Sequence, residues 1–83
     1  MARRIVTHSR KHAGRVIAVG NPAEWWSPRS ATDIAVDIDA GVHSYWARDA
    51  DRQLVRASLS NDRNMIHAWT SAGRDLLLLL PPC

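Results

Sequence analysis

The sequence predicts an α+β fold: an antiparallel β-sheet of about four to five strands with one helix packed on one face, in the order β-β-α-β-β-β. Three observations predict it. Short runs of β-branched and aromatic residues recur along the chain, separated by Gly, Asn, Asp and Ser clusters. Only residues 31–40 carry both a start and a stop signal for a helix. The chain has 83 residues, 46% of them hydrophobic and 23% charged, which suits a single small domain over 1–83 with a thin core. A sheet covered on one face by a helix buries the most apolar surface with so few elements.

The first expected strand, Arg4–Arg10, contains Ile5, Val6 and Thr7 in sequence. The second, Arg15–Val19, repeats the style with Val16, Ile17 and Val19. Lys11-His12-Ala13-Gly14 between them reads as a hairpin connection, and Gly20-Asn21-Pro22 ends the pair. Alternation along strand one places Arg4, Val6, His8 and Arg10 on one face, with Arg3, Ile5, Thr7 and Ser9 on the other.

Residues 33–39, Asp-Ile-Ala-Val-Asp-Ile-Asp, fit two periods. Ile34, Val36 and Ile38 alternate as in a strand, while Ala31, Ile34, Ala35 and Ile38 share one face of a helix. The ends favour a helix. Ser27-Pro28 offers an N-cap with Pro at the first position, Ser30-Ala31-Thr32-Asp33 resembles a capping box, and Gly41 suits a left-handed C-terminal residue. Strands then follow at Val42–Arg48, Gln53–Leu59 and Met65–Thr70, separated by Asp49-Ala50-Asp51 and by the polar loop Ser60–Asn64. In the last strand Ile66, Ala68 and Thr70 share one side, and Met65, His67 and Trp69 the other.

The tail is Leu76-Leu77-Leu78-Leu79-Leu80-Pro81-Pro82-Cys83. Five leucines fall far short of the roughly 20 apolar residues of a membrane span, so no membrane partner is expected. The prolines stop any regular element. The tail must pack within its own domain or on a partner.

Trp26-Ser27, a helix-like stretch ending at Gly41, Tyr45, a strand pair, Trp69-Thr70, Leu77-Leu78, Leu80-Pro81 and Cys83 occur in that order. This order resembles the domain-of-unknown-function 3892 family of small, mostly bacterial proteins, whose tail pattern is Asn-Leu-Leu-x-Leu-Pro-x-Cys. Leu76 stands where that pattern has Asn, and the segment from Ser27 to Gly41 looks longer than usual. The resemblance implies nothing about activity, because the family carries no catalytic assignment.

Catalytic and metal-binding signals are thin. His8 and His12 stand four apart, a ligand spacing only on a helix, and His43, His67 and Cys83 complete the ligand inventory without a shared motif. The four glycines are isolated, so no phosphate loop is present. The lone Cys83 sits beside a terminal carboxylate, the wrong field for a reactive thiolate, and no serine lies in a Gly-x-Ser-x-Gly elbow. Asp33 and Asp37, at i and i+4, read as a solvated helix face. No enzyme, metal or cofactor is expected. A single cysteine and an N-terminus without an apolar leader run point to the cytoplasm.

What remains is surface. Residues 1–20 hold Arg3, Arg4, Arg10, Lys11 and Arg15 with no acid, a local +5, whereas 21–40 hold Glu24, Asp33, Asp37 and Asp39 against Arg29, a local −3. With Phe absent, four Trp and one Tyr supply all the aromatic area. Trp25 and Trp26 read as a partner hot spot or stacking platform, or else as the core entry to the helix, with Trp26 folding back onto the sheet. Trp46 and Trp69 join them as candidate partner contacts. The expected function is a protein-interaction or accessory module, binding an unidentified protein or a second copy through Trp25, Trp26, Trp46 and Trp69. The alternative is nucleic-acid binding, with the five basic N-terminal residues on phosphates.

Overall fold

The computed structural model describes residues 2–60 and 65–82. It is a small α+β domain with one main helix, in which the expected single antiparallel sheet is replaced by three small sheets. Strands β1 (Ala2–Ile5), β5 (His43–Arg48) and β6 (Leu54–Arg56) form one, in the order β1-β5-β6. Strands β2 (His8–His12), β3 (Arg15–Gly20) and β4 (Arg29–Ser30) form the second, and β7 (Ser58–Leu59) with β8 (Ile66–His67) the third. The helices are α1 (Ala31–Ala40) and a short α2 (Leu76–Leu79).

The first expected strand is two strands in two sheets, and β1 runs parallel to β5 rather than antiparallel to a neighbour. Two adjacent backbone donors make the division. Val6 N–H donates to the Trp46 carbonyl at 2.8 Å, and Thr7 N–H donates to the Gly20 carbonyl at 2.9 Å. The handover also reverses the inward face. Arg4 and Val6 are buried before it, Ser9 is buried after it and Arg10 is exposed. Simple alternation from Arg3 to Arg10 therefore fails at the break.

The hairpin between β2 and β3 is as expected, but its turn is only Ala13-Gly14, with φ 52° and 78°. Two left-handed residues suit the type I′ turn that matches strand twist. The helix is also as expected, with Gly41 at φ 70° returning its N–H to Asp37 and Ile38 carbonyls. Its N-cap is Ser30, whose Oγ accepts from Asp33 N–H at 3.1 Å. Ser27 is occupied elsewhere: its Oγ accepts from Asn21 N–H at 2.8 Å and closes the 21–27 loop.

The tail packs within its own domain. Asp75 caps α2, and Leu76 and Leu77 enter the core while Leu78 and Leu79 stay exposed. The tail backbone then lies along β2. Ser9 Oγ donates to the Leu77 carbonyl, Ser9 N–H donates to Pro81 at 3.0 Å, and Lys11 Nζ reaches Leu80 at 2.6 Å. The core gathers Val6, Val19, Ile34, Tyr45, Ile66 and Leu77 from both three-stranded sheets, the third sheet and both helices. Of the expected strand Met65–Thr70 only Ile66–His67 is strand, but its alternation holds, since Ile66 and Ala68 are buried and Trp69 is exposed. Asn61–Asn64 of the expected loop and Cys83 lie outside the described residues. Among the described residues no helix is long and apolar enough to cross a membrane.

Candidate functional site

The site begins beneath α1. Asp37 stands three residues after Ile34, so helical spacing turns its carboxylate toward the core, and it is only 7% exposed. It is not part of a solvated face, as the paired aspartates suggested. Arg29 on β4 forks onto it, Nε to Oδ2 at 2.7 Å and Nη2 to Oδ1 at 2.9 Å. Tyr45 on β5 donates its hydroxyl to the same Oδ2. Arg4 on β1 then donates from Nη1 to the Tyr45 oxygen at 2.9 Å. Parallel pairing makes this last bond possible, because Arg4 and Tyr45 are register partners.

Each titration follows from its neighbours. The Arg29 bonds hold Asp37 below its ordinary 3.8, against the opposing effect of burial. The same bonds push Arg29 further above its already high value. Burial, then the bond to Asp37, raises the Tyr45 hydroxyl above 10.0. The chain Arg29–Asp37–Tyr45–Arg4 holds two guanidinium cations against one carboxylate.

Arg4 lies at the uncompensated end. It is 9% exposed, and its guanidinium carbon stands 5.4 Å from the Trp26 ring centre, 5.6 Å from Trp25 and 5.7 Å from Tyr45. Trp26 meets Tyr45 edge-on at 5.8 Å, which fixes one wall of this aromatic surround. Beside it opens a cleft of about 270 Å³ lined by Arg3, Arg4, Glu24, Trp25, Trp26 and His43. His43 Nδ1 is buried without a hydrogen-bond partner among the described residues, a condition that ordinarily costs about 1–3 kcal/mol.

A second surface adjoins the first through Arg3. The face of β1-β5-β6 opposite Tyr45 carries Trp46, with the guanidinium groups of Arg3 and Arg56 at 4.9 and 5.8 Å from its ring centre. Trp46 Nε1–H donates to Ser44 Oγ at 2.9 Å, which satisfies the indole and fixes its tilt. Arg48 shares this face by alternation. The three strands contain no Asp or Glu.

Of the four tryptophans singled out from sequence, Trp25 is 86% exposed and Trp26 is in the core, folded back as expected. Trp46 lies half-buried on the open sheet face, and Trp69, 53% exposed, stacks on His67 at 5.0 Å. The five basic residues do not gather. Arg4 is buried in the network, Arg3 is on the sheet face, and Arg10, Lys11 and Arg15 are on the β2–β3 hairpin, with Lys11 held by the tail. Among the described residues no three His, Cys, Asp or Glu side chains group as metal ligands. A larger groove of about 510 Å³ between the Asp49–Asp51 turn and α2 mixes Arg48 and Arg74 with Asp49, Asp51 and Leu79, and gathers no single chemistry.

Sequence reasoning missed Arg29, Asp37, His43, Tyr45 and Arg56 as site residues. Asp37 alone carried a signal, its core-facing spacing from Ile34. No family model, no curated protein and no solved structure matches this chain.

Proposed function

We propose that the protein is a small binding module without catalytic activity, docking an acidic protein partner through the open face of β1-β5-β6. Trp46 set between Arg3 and Arg56 on strands free of acidic residues carries this reading. Trp and Arg dominate binding hot spots because each offers a large contact area with few mobile bonds or a rigid fork of donors. The exposed Trp25 extends the surface around the β1 edge. Self-association through this face would bring Arg3, Arg48 and Arg56 of both copies into one two-fold interface with no acid on these strands to offset them, which disfavours a second copy as the occupant.

Nucleic-acid binding is the second reading, supported by the same cation–aromatic cluster. The scatter of Arg3, Arg4, Arg10, Lys11 and Arg15 over three places weighs against it. A titration followed by NMR separates the two, using a Glu-rich peptide bearing one Trp and, separately, single- and double-stranded oligonucleotides. Docking predicts amide shifts across β1, β5 and β6 with the peptide, lost in Trp46→Ala and Arg56→Gln. If duplex DNA binds through Arg3, Arg48 and Arg56 instead, log K falls with log salt at a slope of about −2.7. Absence of shifts on this face with every probe overturns both readings.

A further inference from the structure

Arg4 has more charge and more donors than its surroundings use. A guanidinium offers five N–H donors in a fixed fork, and among the described residues the Arg4 guanidinium makes one hydrogen bond, to Tyr45. That hydroxyl is no counter-ion, since its own proton goes to Asp37, which Arg29 already claims with both oxygens. One positive charge in this buried network is therefore left without an anion. Rings of Trp25, Trp26 and Tyr45 surround the guanidinium and attract it, but they accept none of its forked hydrogen bonds. Arg3 and His43 also line the cleft, although the Arg3 guanidinium itself lies over Trp46 on the other face of the sheet.

We infer that this cleft is a binding site for a single oxyanion group, a phosphate or a carboxylate, gripped by the free edge of Arg4 and flanked by the Trp25 indole. The fork matches two oxygens of either group, and low-dielectric aromatic walls strengthen the contact. At about 270 Å³ the cleft lies just below the range of drug-sized sites and suits one ionic group. Glu24 is the carboxylate already on its rim. No ion pair joins it to Arg3 or Arg4 among the described contacts, so the site is not filled from within. Its charge opposes an entering anion.

Inorganic phosphate, O-phosphoserine, acetate and N-acetylaspartate are the probes, titrated at constant ionic strength against chloride. Indole N–H resonances of Trp25 and Trp26 and the Nε–H of Arg4 are the readout. Saturable one-to-one shifts are expected, weakened at least tenfold by Arg4→Lys, strengthened about threefold by Glu24→Gln, and unchanged by Arg74→Gln, which removes the same charge elsewhere. Preference for the phosphate pair assigns a phosphoryl ligand, and preference for the carboxylate pair assigns an acidic side chain or terminus. Should Arg4→Lys fail to fold, the exposed Trp25→Ala substitution takes its place, expected to weaken binding several-fold. Shifts that chloride reproduces, or that survive these substitutions and ignore Glu24→Gln, overturn the site. The sheet-face reading is read on β5 and β6 amides, so either proposal can fail while the other stands.

Discussion

Asp37 and Asp75 are both buried, 7% and 6% exposed, and each is satisfied in a different way. Asp75 is served locally. Its Oδ1 accepts the backbone N–H groups of Ala68 at 3.0 Å and Leu77 at 3.1 Å, and Oδ2 lies 2.7 Å from His67 Nδ1. Since a carboxylate only accepts, that distance places the His67 proton on Nδ1. Asp37 is served by side chains from other elements, Arg29 of β4 and Tyr45 of β5, with Arg4 of β1 behind them. The Asp75 arrangement closes on itself and pins the start of α2 to β8. The Asp37 arrangement joins three strands to the helix and ends on an unmatched cation at a cleft. A carboxylate met by backbone donors fixes a fold, whereas one met by long cationic side chains can leave charge over for a ligand.

Removing each carboxylate tests this contrast, and the larger effect belongs to Asp37. In Asp37→Ala, Arg29 and the Tyr45 hydroxyl lose their acceptor, and two cations remain with no anion between them. Breaking a buried pair in this way costs about 3–5 kcal/mol. The Arg29 side chain is 30% exposed and recovers some hydration, which sets the expectation at about 3 kcal/mol. Urea unfolding should show the midpoint falling without a change in slope. The same group sets the acid limit. Because Asp37 is held below 3.8 in the folded state, its contribution is present above the ordinary carboxylate value and is lost as pH falls through the lower folded value. Asp37→Asn should therefore converge on the parent protein in strong acid. A constant gap between the two down to full protonation would show that the charge on Asp37 contributes nothing.

Asp75→Ala comes next, at about 2 kcal/mol, from a lost N-cap of about 1 kcal/mol and one orphaned buried N–H. Hydrogen exchange should speed at Ala68 and Leu77 while β1 and β5 stay protected. Faster exchange throughout would mean that Asp75, too, holds distant elements together.

The local parts of this fold could be read from sequence because local chemistry decides them. Gly41 needs a left-handed backbone, Ala13-Gly14 needs a tight turn, and Ile66 and Ala68 alternate inward whatever they pair with. The parallel β1–β5 pairing could not, since nothing within Arg4–Arg10 marks the Val6–Thr7 handover except the two carbonyls waiting in other strands. That hidden pairing is also what aligns Arg4 with Tyr45. The candidate site was therefore out of sight for the same reason. Trp25 and Trp46 could be named from composition as surface aromatics, but Arg4 looked like one phosphate contact among five. Only the three-dimensional register shows it buried, ringed by aromatics and short of an anion.

The smallest effect offers the sharpest view of the network. Tyr45 is the one tyrosine of the chain, so its phenolate absorbance reports this hydroxyl alone. Its midpoint should lie above 10.0, because burial disfavours the phenolate and Asp37 accepts its proton. A raised value means that the stabilisation is full below pH 10.0 and is lost as pH climbs through the folded midpoint. In Asp37→Asn the midpoint should drop but remain above the ordinary value, since burial is the larger cause and survives the substitution. The two contributions then separate in one titration. A midpoint that Asp37→Asn leaves unmoved would mean that the Tyr45 proton is not directed at Asp37, and Tyr45 would be free to give that proton elsewhere. The Arg4 end of the network would then no longer be tied to the charge on Asp37, and the excess of one cation at the cleft would have to be judged from Arg29 and Arg4 alone.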